Sequence, residues 1–193
     1  MMRSIEKTVF LRTLNYLRVS HGYAMRYNWI YPLLLGGVSA LGILQLVTAR
    51  SLFEDGGLVR SFTPVLSILA PFYIAALAAV ATFSGNKSVD SPFDMSQPVL
   101  LKVIGDGGDW ENIDITPRHF LSLLFGYCTS LSIFLLLFSI FAPFIARLVE
   151  SLLCNSPAFL LSGLFLVFNV LVSQLILGTL LGVYYLADRI HRA

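Results

Sequence analysis

Charge is scarce in this chain and missing from long stretches of it. Asp, Glu, Lys and Arg make up 12% of the residues, about half of what soluble domains carry. Four intervals hold no Asp, Glu, Lys, Arg or His: 27–49, 61–86, 120–146 and 151–187. Without an ionisable group there, coupled ion transport, proton pumping and acid–base catalysis inside a membrane lose their usual chemistry. Cysteine is nearly absent too. Cys128 and Cys154 form no CxxC, so thiol–disulfide exchange and a zinc site have no support. The net charge of +2 is too small for a nucleic-acid footprint, and direct nucleic-acid binding is not expected. The first 28 residues carry basic side chains throughout and lack a compact apolar core with a small-residue cleavage site, so no cleaved signal peptide is expected.

Known motifs also fail on inspection. A calcium loop opening at Asp106 would need ligands at Gly108 and Trp110, neither of which has a side-chain oxygen. The glycines at 105, 107 and 108 are not followed by Lys-Ser/Thr, so no phosphate loop forms there. Ser39 is followed two residues later by Leu41 rather than glycine, which rules out a nucleophile elbow. No catalytic residue, cofactor or metal site is expected, and the chain reads as a non-enzyme.

What is present is apolar. Hydrophobic residues are 56% of the chain and the mean hydropathy is +0.78. A span needs about 20 apolar residues to cross roughly 30 Å of hydrocarbon, and the four uncharged intervals meet that length. The fourth is longer than needed, and Asn155-Ser156-Pro157 places its helix start near Pro157. Thr63-Pro64 and Thr116-Pro117 each set a hydroxyl before a proline, the pattern of a capped helix start. Tyr23, Tyr27, Trp29 and Tyr31, with Tyr184 and Tyr185, mark membrane boundaries.

The basic residues orient the spans. Ten of the thirteen Lys and Arg lie before the first span, between the second and third, or after the fourth; only Arg50, Arg60 and Arg147 lie on the other side. By the positive-inside rule both termini and the segment 84–118 face the cytoplasm of an inner membrane. That segment also collects six of the eleven acids: Asp90, Asp94, Asp106, Asp109, Glu111 and Asp114.

The expected fold is an all-α membrane protein forming a single domain over 1–193. It has four transmembrane helices, an amphipathic interfacial helix within a cytoplasmic N-terminus, 1–26, and a small acidic cytoplasmic loop. Ile5, Val9, Phe10, Tyr16 and Leu17 share one side of a helical wheel, and Arg3, Lys7, Asn15 and Arg18 the other. Arg3, Lys7, Arg12, Arg18 and Trp29 are therefore expected at the membrane interface, against anionic lipid; packing against protein is the alternative. In the loop, Val99–Ile104 and Trp110–Ile115 flank a glycine-rich turn and read as a β-hairpin. An aromatic anchor among acids is the composition of a docking surface, so Asp106, Asp109, Trp110, Glu111 and Asp114 are the partner-docking candidates. A merely solvated turn is the alternative.

Within the spans, small and polar residues recur at helical spacing: Gly36 and Ala40, Ala75 and Ala79, Asn169 and Ser173, Gln174, and a GxxxG at Gly178 and Gly182. They are expected to mediate close helix packing, either inside one bundle or between subunits, with helix four as the subunit contact. The bulky run "SIFLLLFSIFAPF" is expected to face lipid or fill gaps. An alternative reading is a small oligomeric channel or transporter component lined by Gln45, Asn169, Ser173 and Gln174.

The order "ATF" (81–83), an irregular Asp/Met/Pro segment, "PVLLKV" (98–103) and "ITPRHFLSLLFGYCTSLSIFL" from Ile115 resembles a group of small bacterial four-span membrane proteins, and within it the membrane-subunit family of the Kiwa anti-phage defence system. The resemblance implies a non-enzymatic inner-membrane sensor or anchor that forms a homo-oligomer, a tetramer at first guess. It further implies a partnership with a cytosolic DNA-binding protein. It carries over no catalytic residues.

Overall fold

The computed structural model describes residues 13–20, 26–82, 99–104, 110–152 and 157–189. A 3-10 helix, Thr13–Arg18, leads into β1, Val19–Ser20. A π-wound turn, Arg26–Ile30, opens α1, Tyr31–Leu46. Two short helices follow, α2 (Ala49–Phe53) and α3 (Leu58–Ser61), and then α4, Thr63–Thr82. Strands β2 (Leu100–Ile104) and β3 (Trp110–Asp114) precede the two longest helices, α5 (Pro117–Leu152) and α6 (Pro157–Tyr184). A second π-wound turn, Tyr185–Arg189, ends the described chain.

Four helical stretches are long and apolar enough to cross a membrane: Arg26–Leu46, Ala49–Thr82, Pro117–Leu152 and Pro157–Ala187. This is the make-up of a multi-pass membrane protein. At about 1.5 Å per residue α5 runs to roughly 54 Å, well beyond the hydrocarbon thickness, so its ends reach past the apolar layer.

The helices pack as a row more than as a closed bundle. α1 packs on α6, α6 on α5, and α5 on α4, with α2, α3 and the 3-10 helix also against α5. Side chains tie α4 and the residue before it to α6: Tyr73 shares a hydrogen bond with Thr179, and Phe62, between α3 and α4, meets Phe168 edge-on at 5.6 Å. This changes the expectation for the third span. Leu135, Ser139, Ala142 and Ala146 are buried, whereas Ile133, Phe134, Leu137, Ile140, Phe141 and Phe144 are exposed. The bulky run does turn large side chains outward, but its small ones make α5 the centre of the row, because small side chains allow close helix approach.

The two Thr-Pro steps differ. Thr116 Oγ1 accepts from the His119 backbone N–H at 3.3 Å, as a cap does. Thr63 caps nothing, since Phe62 before it is already helical and the Leu66 N–H reaches the Phe62 carbonyl at 3.0 Å. Thr63 instead donates to Ser139 Oγ at 3.3 Å, and Ser139 donates to the Val59 carbonyl, which pins α3 and α4 to α5. The reversal between α2 and α3 depends on Gly56, whose φ of +89° suits glycine alone.

The N-terminal segment also differs from a continuous amphipathic helix. Over 13–20 it is a 3-10 turn followed by a strand, and Tyr16 and Val19 are buried against protein. Arg3, Lys7 and Arg12 lie outside the described residues.

Candidate functional site

The end of the row that carries the N-terminal segment, the start of α1, the strands, the start of α5 and the end of α6 has the most built chemistry. Its first component is a three-stranded antiparallel sheet in the order β1-β2-β3. Val19 pairs with Leu101 and Ser20 with Leu100 on one side; Leu100 pairs with Asp114 and Ile104 with Trp110 on the other. The Ile115 N–H extends the ladder to the Val99 carbonyl at 3.2 Å. Val99, Leu101 and Ile115 are buried at 5% exposure or less, while Asn112, Ile113 and Asp114 are exposed. Burial alternates from Val99 to Leu101, as on a sheet with one face on protein, whereas β3 is exposed at three successive residues.

The second component is a polar knot at the start of α1. Pro32 lacks the N–H that the Asn28 carbonyl would meet in an α-helix. The turn there is π-wound, and Gln174 Nε2 of α6 donates to that carbonyl at 2.9 Å. The Tyr16 hydroxyl donates to Asn28 Oδ1 at 2.9 Å. Burial pushes the Tyr16 phenol far above its ordinary value, which keeps the donor proton in place. Its ring stacks on Tyr127 at 5.3 Å and leans on Phe120 at 6.1 Å, and Phe120 meets Tyr185 at 5.1 Å. One buried asparagine thus joins the N-terminal segment, α1 and α6.

Beside this knot lies a cavity of about 450 Å³ between the sheet and α6, with Val19, Val99, Phe120, Leu177 and Leu181 among its walls. A narrow recess behind it reaches Tyr127 and Gln174.

The opposite end is polar and ionic. Arg50 bridges Glu54 at 3.1 Å and Glu150 at 3.2 Å, and Arg60 pairs with Asp55. Arg147 shares their crevice of about 300 Å³. Exposed pairs of this type contribute little to stability, from nothing to about 1 kcal/mol each.

The sequence candidates fall as follows. Asp114 is exposed at the end of β3. Trp110 and Glu111 belong to the same strand, their side chains outside the described set, and Asp106 and Asp109 lie outside the described residues. Arg18 and Trp29 are exposed. Gly36 and Ala40 are buried on α1, facing α6. Asn169 donates to its own helix at the Phe165 carbonyl, 2.9 Å, and Ser173 is buried. Gln174 is spent on Asn28, and Gln45 is exposed.

The GxxxG of helix four was expected to pack either inside one bundle or against another subunit, and both its glycines are buried in this chain. A Cβ on Gly178 would lie 3.0 Å from Cys128 Sγ, and one on Gly182 would lie 2.8 Å from the Phe125 ring. The close approach they permit is to α5. Ala75 and Ala79, in contrast, are exposed.

Sequence reasoning passed over the Tyr16–Asn28–Gln174 knot and the pairing of β1. The knot had a signal, because Asn28 is an amide inside an apolar interval, four residues before a proline. A two-residue strand has none. No family model, no curated protein and no solved structure matches this chain.

Proposed function

We propose that the chain is a non-enzymatic membrane anchor or sensor that presents the sheet segment around β3 to a soluble partner. The observation that supports this reading is the sheet itself. β1 and the buried side chains of Val99, Leu101 and Ile115 hold β2 and β3 against the protein core, and among the described residues β3 is an edge strand. An edge strand offers unpaired backbone groups, and acidic side chains along it select a basic partner. In this proposal Asp106, Asp109, Trp110, Glu111 and Asp114 form the docking surface. The Lys/Arg bias places it, with both termini, on the cytoplasmic side of a bacterial inner membrane. The anti-phage role, the DNA-binding partner and a homo-oligomer, a tetramer, follow from the family resemblance.

The test is site-specific photo-crosslinking in intact cells from Asn112, which is exposed on β3, with Ser61 at the opposite end as control. Docking predicts a crosslink to one soluble protein from position 112 and none from 61. Trp110→Ala should weaken capture roughly tenfold at low and moderate salt alike. Replacing Asp106, Asp109 and Glu111 by amides should remove only the salt-sensitive part. Equal capture by all variants, or no crosslink from position 112, rejects the proposal.

A further inference from the structure

We propose that the cavity between the sheet and α6 binds a long-chain lipid whose polar end is an uncharged carbonyl. At about 450 Å³ it lies within the range of about 300–1,000 Å³ typical of small-molecule sites. Among the described residues its walls are apolar or phenolic apart from Asn28, and none of them is Asp, Glu, Lys, Arg or His. A charged headgroup would lose its hydration there with no countercharge in return. An aliphatic body loses nothing by entering.

The inner recess sets the polar end. It shares Tyr16, Tyr27, Asn28 and Leu181 with the cavity and adds Tyr127 and Gln174. Tyr16 and Gln174 are committed to Asn28. The Asn28 side-chain nitrogen and the Tyr127 hydroxyl have no hydrogen-bond partner among the described residues, and neither belongs to the fully buried unpaired atoms, so both stay open to the recess they line. A carbonyl oxygen in the recess takes a hydrogen bond from either donor, whereas a hydrocarbon leaves both unmet. At the mouth, Leu180 and Tyr184 are exposed on the surface of an apolar spanning helix, so a chain can pass from the recess into the bilayer. The same walls include Val19 of β1 and Val99 just before β2, and an occupant therefore packs beneath the sheet. An acyl ester and a prenylated quinone both supply this chemistry.

The full chain, purified in detergent, is titrated by calorimetry with a short-chain ubiquinone and with monooleoylglycerol. Dodecane and lysophosphatidylglycerol serve as uncharged-apolar and charged controls. Saturable binding of at least one carbonyl probe is expected, at least tenfold tighter than either control. Preference for the quinone identifies an aromatic carbonyl as the source, and preference for the glyceride an acyl ester. Leu177→Trp should fill the cavity and abolish binding. Asn28→Leu and Tyr127→Phe should each weaken it roughly tenfold, the effect of one lost hydrogen bond. Asn28→Leu also breaks the link to Tyr16, so Tyr127→Phe, which removes a single oxygen, carries the test if the first fails to fold. The proposal is overturned if neither carbonyl probe saturates, if dodecane binds as tightly, or if Leu177→Trp and Tyr127→Phe both bind like the parent.

Discussion

α1 approaches α6 backbone to backbone, whereas α5 meets the glycines of α6 with its side chains. A Cβ on Gly36 would sit 2.5 Å from the Cα and 2.7 Å from the nitrogen of Val170. On the other side of α6, a Cβ at Gly178 or Gly182 would meet a thiol or the edge of a phenyl ring. Both contacts are made possible by glycine, and the sequence pattern treats them alike. They differ in what can give way. A backbone held in a helix cannot move without its neighbours, and a side chain can change rotamer.

The sharpest way to break this comparison is Gly36→Leu. Because the obstructing atoms are main chain, α1 must separate from α6, and the Asn28–Gln174 bond above it goes too. A loss of about 3 kcal/mol or more is expected, beyond ordinary overpacking. Reversible unfolding in mixed micelles measures it, and a loss under about 1 kcal/mol would mean that α1 is not seated on α6 in this way.

A smaller effect is expected at Gly182→Ala. The Phe125 ring must shift by a few tenths of an ångström, which places the cost near 1 kcal/mol. Pairing it with Phe125→Leu should remove most of that cost, and the coupling between the two changes is the readout. Additive effects would show that the ring is not the obstacle.

The smallest effect should come from Gly37→Ala. This position neighbours Gly36 in sequence, but a Cβ there meets nothing within 4 Å. The change should be neutral or stabilise the chain by up to about 1 kcal/mol, through helix propensity alone. Destabilisation comparable to Gly182→Ala would place a second surface, such as another copy, against that face of α1.

The contrast shows what can be read from residues in order. Gly36, Ala40, Gly178 and Gly182 stand out as packing residues because small side chains at a spacing of four line one helix face. Which helix they meet is not in that spacing. For Gly178 and Gly182 the partner is α5, and the contact lies inside the chain. The same holds for "SIFLLLFSIFAPF". Its hydropathy identifies a span, but lipid and protein interior are equally apolar, so composition cannot tell which residues face which. Leu135, Ser139 and Ala142 turn inward because α4 and α6 lie there.

The sequence by itself determined the long apolar intervals, and these are local: a backbone in hydrocarbon must bond to itself, so each uncharged run of sufficient length becomes a helix. It also determined the Thr116 cap, which acts within a single turn. The tertiary structure decided everything that joins distant residues. Thr63 has the same Thr-Pro signal as Thr116, yet it serves Ser139, 76 residues away, because α3 runs into α4 without a break. Tyr16 and Gln174 meet at Asn28 from opposite ends of the chain, Tyr16 at its side-chain oxygen and Gln174 at the backbone carbonyl that Pro32 leaves without its helical donor. The proline is written in the sequence, but the residue that answers it is fixed only by where α6 passes, because a hydrogen bond depends on distance in space and not on separation along the chain.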